Sequence, residues 1–200
     1  MATTLDDLAG FLDEYDLRYR IDRNRAVILI GFASPSDAAA YRTPDGDATV
    51  RLVVRLAEDG EFLSVFSPNA WNLDGCPHRA AVFEAIPAIQ SQYKMLRFDY
   101  DPADGELRPN IELPLEDAGP TSRQFHRLIH GMLDGIQRFD RVIRHAMETG
   151  EVSFAGLDAK QPSSSPSAEV RQLMDLASRA GGIDVLERLV GGDGRAGEAA

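Results

Sequence analysis

Apolar residues recur near the N-terminus at Leu5, Leu8, Phe11 and Leu12, the spacing of a helix with one buried face. Thr4 and Asp7 stand in a Thr-x-x-Asp relation suited to capping, so the pattern predicts a helix over about Leu5–Tyr15. The period then changes. In LRYRIDRNRAVILIGFAS a polar turn at Arg23–Arg25 divides a short alternating strand from the continuous apolar run Val27–Ile30, which predicts a strand covered on both faces. Ser34–Thr49, with Pro35, Pro44 and an Asp-Gly-Asp triplet, reads as a long loop. VRLVVRL, AEDG and EFLSVF form a hairpin in which Val50, Leu52, Val54 and Leu56 share the core face. Arg51 and Arg55 point to the other face, expected to be at least partly wet.

A second helix is expected from near Pro77 to about Met95, with Val82, Phe83, Ile86 and Ile89 inward and a kink at Pro87. Next, Leu96, Phe98 and Tyr100 alternate with charged residues, as do Leu107, Ile111, Leu113 and Leu115. Two amphipathic strands thus flank Pro102–Gly105, where proline presets a turn and glycine can take positive φ. Pro109 and Pro114 cannot donate ladder hydrogen bonds, so the second strand is expected at an edge or with bulges. Thr121 and Gln124 form a capping box for the longest helix, running to about Thr149 and stopped by Gly150. Its apolar stripe is Phe125, Leu128, Ile129, Met132, Leu133, Ile136, Phe139, Ile143 and Met147.

These elements define an α+β domain over residues 1–154, an antiparallel sheet packed by helices in the order α-β-β-β-β-α-β-β-α. Residues 155–167 (AGLDAKQPSSSPS) read as a flexible linker, 168–190 as a short amphipathic helical segment broken at Gly181 and Gly182, and 191–200 as a disordered tail.

Composition narrows the function classes. A chain of 200 residues with 44% hydrophobic content supports one well-buried domain plus an appendage. No apolar run approaches the roughly 20 residues of a membrane span, and the N-terminus is acidic where a secretory leader would be basic, so a cytoplasmic protein is expected. The net charge of −11 argues against generic binding to nucleic acid or anionic membranes.

Three stretches invite a chemical reading. FDYDPADGEL resembles an acidic calcium loop, but from Asp99 the third acid, Asp104, falls one place late, Gly105 falls at position 7, and strands flank it; a hairpin turn explains it better. Cys76, Pro77 and His78 adjoin a helix start, which could lower a thiol pKa, yet adjacency supplies no base within reach. His126, His130 and Asp134 follow at four-residue steps and could chelate a metal, but Arg127 stands where a zinc protease has its Glu. No phosphate loop, nucleophile elbow, Cys-x-x-Cys pair or dinucleotide fingerprint is present, and no cofactor or metal is expected.

A broader feature is cationic. On the long helix, Arg123, Arg127, His130, Arg138, Arg141 and Arg144 fall opposite or beside the apolar stripe, together with His126 and His145. In an acidic chain this face is either simply solvated or a dock for an acidic partner segment, with arginines as forked donors.

The stretch RFDYDPADGELRPNIELPLEDAGPTSRQFHRLIHGMLDGIQRFDRVI, with DGEL, a strand ending ELPLED, a Thr-initiated helix and Phe139, resembles the YbjN-type bacterial family, named for sensory transduction regulation. The resemblance covers roughly Leu5–Thr149. It implies the α+β fold of type III secretion chaperones, small dimers that hold an unfolded segment of a client, and hence a non-catalytic, homodimeric protein-binding module. It transfers no catalytic residue. The long Ser34–Thr49 loop and the region after Ala155 depart from it. Two alternatives stand beside this reading: an enzyme using Cys76 or a His126/His130 metal site, and a structural oligomerisation domain.

Overall fold

A computed structural model describes residues 2–34, 40–116 and 118–157; most of the expected linker, the amphipathic segment and the tail lie outside the described residues. The elements are α1 (Leu5–Asp13), β1 (Tyr19–Asp22), β2 (Val27–Ala33), β3 (Thr49–Ala57), β4 (Phe62–Phe66), β5 (Trp71–Asn72), α2 (Arg79–Gln92), β6 (Arg97–Tyr100), β7 (Glu106–Pro114) and α3 (Ser122–Thr149). The fold is α+β in the expected order, with the two-residue β5 added where the sequence suggested only a loop.

All seven strands form one antiparallel sheet. Strands β1 to β4 run as a meander and β7 then pairs with β4, so the sheet runs β1-β2-β3-β4-β7. Strand β6 takes the far edge of β7, and β5 extends the β4 side. Register places Ile30 opposite Leu52 and Val54 opposite Val65, aligning the inward residues of three strands. They meet Phe125, Ile129, Met132, Ile136, Phe139 and Ile143 of α3 in one core with α1 and α2. Each such side chain removed from water contributes about 1.5–3 kcal/mol before entropy is counted.

Both capping boxes form. Thr4 accepts from the Asp7 amide while the Asp7 carboxylate accepts from the Thr4 amide; Thr121 and Gln124 do the same for α3. Gly150 ends α3 with φ of 77°, the left-handed turn that glycine adopts without a Cβ penalty.

Strand β7 lies inside the sheet rather than at an edge. N–H and C=O of one residue point to the same side of a strand, and the Pro109 carbonyl accepts from Ser67, in the gap between β4 and β5. The missing amide hydrogen of Pro109 therefore faces that gap and leaves no ladder bond unmade. Pro114 faces the opposite side, beyond the last β6 partner at Asn110. Proline inside a sheet is tolerated here because the neighbouring strands stop where it needs them to.

Helix α2 starts at Arg79 and ends at Gln92, shorter than the apolar pattern implied; Tyr93 is already extended, and Met95 is exposed with φ of 72°. Pro87 sits inside the helix. The inward residues are Ala81, Val82, Ala85 and Ile89, whereas Phe83, expected inward, is 40% exposed and packs edge-on to Tyr100. Small alanines let α2 approach its neighbours closely, so the large aromatic is carried on the flank.

The acidic hairpin is a turn. Asp101 accepts from the Ala103 amide and Asp104 from the Glu106 amide, while Gly105, at φ of 77°, donates to the Asp101 carbonyl. Among the described residues, no three His, Cys, Asp or Glu side chains are grouped to hold a metal ion.

Candidate partner-binding face of the long helix

Helix α3 turns by about 100° per residue, which places Arg123, Arg127, His130, Asp134, Arg138, Arg141 and His145 within an arc of about 80°. Arg123, Arg127 and Arg141 are exposed along it; His130, Asp134 and His145 are half-buried. Arg138 is also half-buried, its guanidinium 5.7 Å from the Phe139 ring centroid. The one carboxylate of this stretch, Asp134, lies 2.9 Å from the Tyr93 hydroxyl, which holds it toward α2.

Two residues grouped with this face by sequence sit about 60° round the helix instead; His126 turns toward the core, while Arg144 stays partly exposed. Arg144 donates from Nε to both carboxylate oxygens of Asp140, at 3.0 and 2.9 Å, and from a terminal nitrogen to the Arg42 carbonyl. It ties the Ser34–Thr49 loop to α3. His126, expected on the solvated flank, is only 6% exposed and stacks on Tyr15 with ring centroids 3.8 Å apart. Its Nδ1 lies 2.9 Å from the Ser122 carbonyl, so that nitrogen carries the proton; Nε2 is buried and has no hydrogen-bond partner. Burial pushes its pKa down, against a smaller upward pull from Glu14. With His126 turned into the core and Asp134 held by Tyr93, these side chains do not converge on a common point.

Beneath the basic stripe lies a buried polar cluster that the sequence did not flag. The indole Nε1 of Trp71 donates to Asp140 Oδ1 at 2.8 Å, and the Tyr41 hydroxyl donates to the Ala70 carbonyl at 3.0 Å. The Tyr41 and Trp71 rings meet edge to face. Burial lifts the Asp140 carboxyl above its usual range, opposed by the Trp71 hydrogen bond and Arg144. Burial raises the Tyr41 phenol as well, with Asp140 adding to the effect. One signal was available: Asp140 falls within the apolar arc, between the positions of Ile129 and Leu133 on the wheel.

Arg51 also departs from expectation. It is 1% exposed, because the loop folds Asp45 and Asp47 onto it at 3.2 and 2.9 Å. Thr43 donates to Asp45 and, with Arg51, holds that carboxyl below its usual range.

The remaining candidates are placed but not assembled. Cys76 Sγ lies 3.7 Å from the Met147 carbonyl, to which the thiol donates. A groove between α1 and Gly119–Pro120 is lined by Asp6, Asp7 and Glu14. Each of these carboxylates has a partner: Arg23, Thr4 and Ser122 respectively. No described helix is long and apolar enough to cross a membrane.

No family model and no curated protein matches the chain. Among solved structures it is similar to one described as "YbjN, a putative transcription regulator from E. coli", with a TM-score of 0.46 and 13% identity, over 68% of this chain and 87% of that one.

Proposed function

We propose that this chain is a non-catalytic protein-binding module, a regulatory adaptor or chaperone-like homodimer, whose α3 face receives an acidic or partly unfolded segment of a partner. The observation that carries the reading is the stripe itself. In a chain of net charge −11, Arg123, Arg127 and Arg141 stand exposed along one line of a 28-residue helix, with His130 and Arg138 between them. Guanidinium groups on a rigid rod give forked donors at fixed spacing, which suits carboxylates of an extended or helical segment. Arg144, partly exposed beside this face, joins it while also anchoring the loop through Asp140 and the Arg42 carbonyl.

The test uses a fluorescent Asp/Glu-rich peptide of about 20 residues at low salt, with the full chain. Binding should weaken about tenfold or more when Arg127→Glu and Arg141→Glu are combined, and should fall steeply with added salt. Helical content should not change. Equal binding by the variant would remove this face from the function. Sedimentation equilibrium across a concentration series tests the homodimer separately.

A further inference from the structure

Phe83 and Met95 are the two large apolar side chains left exposed among the described residues, at 40% and 49%. Both border strand β6. Phe83 packs edge-on to Tyr100 of that strand, with ring centroids 5.0 Å apart, and Met95 lies just before its first residue. On α2 the ring is flanked by Ala80 and Pro87, at i−3 and i+4, so this side of the helix is apolar and, beside the ring, small. Strand β1, at the opposite edge of the sheet, has no such neighbours.

The backbone of β6 is half used. N–H and C=O of one residue lie on the same side of a strand, and that side alternates along it. Asp101 donates to the Glu106 carbonyl and accepts from the Gly105 amide, so it faces the hairpin. By alternation Asp99 and Arg97 face β7, opposite Arg108 and Asn110, while Leu96, Phe98 and Tyr100 turn their main chain outward. Among the described residues β6 pairs with β7 alone, and the outward N–H groups of Phe98 and Tyr100 meet no acceptor.

We propose that two copies of this chain join at this edge, β6 beside β6, about a two-fold axis at Phe98. Phe98 then exchanges both main-chain hydrogen bonds with the partner's Phe98, and Tyr100 does so with the partner's Leu96. Charge selects this register. On the outer face it sets Arg97, 49% exposed, across from the partner's Asp99, and Asp99, 30% exposed, across from the partner's Arg97. Sliding by two residues one way opposes Arg97 to the partner's Arg97, and the other way Asp99 to the partner's Asp99, like charges in both cases. On the inner face Phe98 and Tyr100 continue the apolar layer, and Phe83 is carried to the junction beside Tyr100. The two sheets become one, which removes a free edge from each copy. This surface rests on the homodimer of the proposed function and makes no use of the α3 stripe.

The experiment mixes two full-length proteins under mild oxidation, both carrying Cys76→Ser, one with Arg97→Cys and the other with Asp99→Cys. Residues directly opposed in a non-hydrogen-bonded pair have Cα atoms about 4.5 Å apart, within disulfide range. A disulfide of dimer mass should form in the mixture and about tenfold less in either protein alone, where equivalent cysteines stand roughly 8 Å apart. Sedimentation equilibrium of the unaltered chain separates two failures. A chain monomeric at every concentration overturns the homodimer and this surface together, whereas a dimer that yields no mixed disulfide overturns this surface alone. Hydrogen exchange gives a readout free of substitutions. The Phe98 and Tyr100 amides should exchange fast in the dilute monomer and about tenfold or more slowly in the dimer; equal rates in both states would also sink the proposal. Phe83→Asp, at an exposed site, should raise the dimer Kd about tenfold or more with helical content unchanged, because it brings a carboxylate into the apolar junction.

Discussion

Asp140 is a carboxylate at a position where the helical pattern calls for an apolar side chain, and its neighbours explain why it is tolerated. Trp71 and Arg144 supply three donor contacts, and removing the carboxylate leaves the indole without its acceptor and Arg144 with the Arg42 carbonyl alone. Asp140→Ala should cost about 2–4 kcal/mol in urea denaturation, and Asp140→Asn, which keeps an acceptor for the indole, roughly half that. A cost no larger than that of an ordinary surface substitution would remove this cluster from the list of stabilising features. His126 gives a pH signature. Its folded-state pKa is depressed, so the unfolded chain takes the proton first, and stability present above about pH 6.5 is lost on acidification. The urea midpoint should fall between about pH 7 and pH 5.5, and His126→Phe should flatten that fall. An unchanged slope in the variant would show that other groups set it. His126 was not legible as buried, and Asp140 only through its place in the apolar arc. The indole donor to Asp140 lies 69 residues away, and Tyr15, which covers His126, stands in the turn after α1. Polar residues show their environment only when the tertiary neighbours are known, whereas an apolar stripe announces its own burial.

Elements were far more legible, because their signals are local. The two capping boxes, the glycine stop of α3 and the turn at Gly105 each lie within a few residues of sequence, and each formed as read. Thr121→Ala should therefore lower stability by about 1 kcal/mol, since it leaves the Gln124 amide without its side-chain acceptor. Gly10, exposed inside α1 with open space where a Cβ would stand, should do the reverse: Gly10→Ala should stabilise by about 0.5–1 kcal/mol. Both shifts can be read as changes in urea midpoint at constant slope. The misreadings at this scale concerned relations between elements. The interior place of β7 depended on where β4, β5 and β6 stop, and the exposure of Phe83 on which flank α2 presents; neither is written within the element. Trp71–Asn72 is a strand only because β7 passes beside it.

At the scale of the whole molecule, the sheet grades from short edges to a long, buried centre. Strands β1 and β6 are four residues each, whereas β2 and β3 are seven and nine and largely buried. In the dilute monomer, amide hydrogen exchange should therefore be slowest in β2 and β3 and fastest in β1 and β6, because opening an edge releases little buried surface. Equal protection across the sheet would mean that it opens only as one unit. The pairing of β4 with β7 also sets a schedule for synthesis. At about 5–20 residues per second, β1 to β4 leave the ribosome several seconds before α3 is complete. Through that interval the free edge of β4 and the inward faces of Ile30, Leu52 and Val65 have no lasting cover, and a nascent chain in that state offers its neighbours a ready template. The growing chain must be shielded or dilute until Phe125–Ile143 arrive, so its yield in a cell should depend on translation speed between Phe66 and Thr121 more than on the stability of the finished fold.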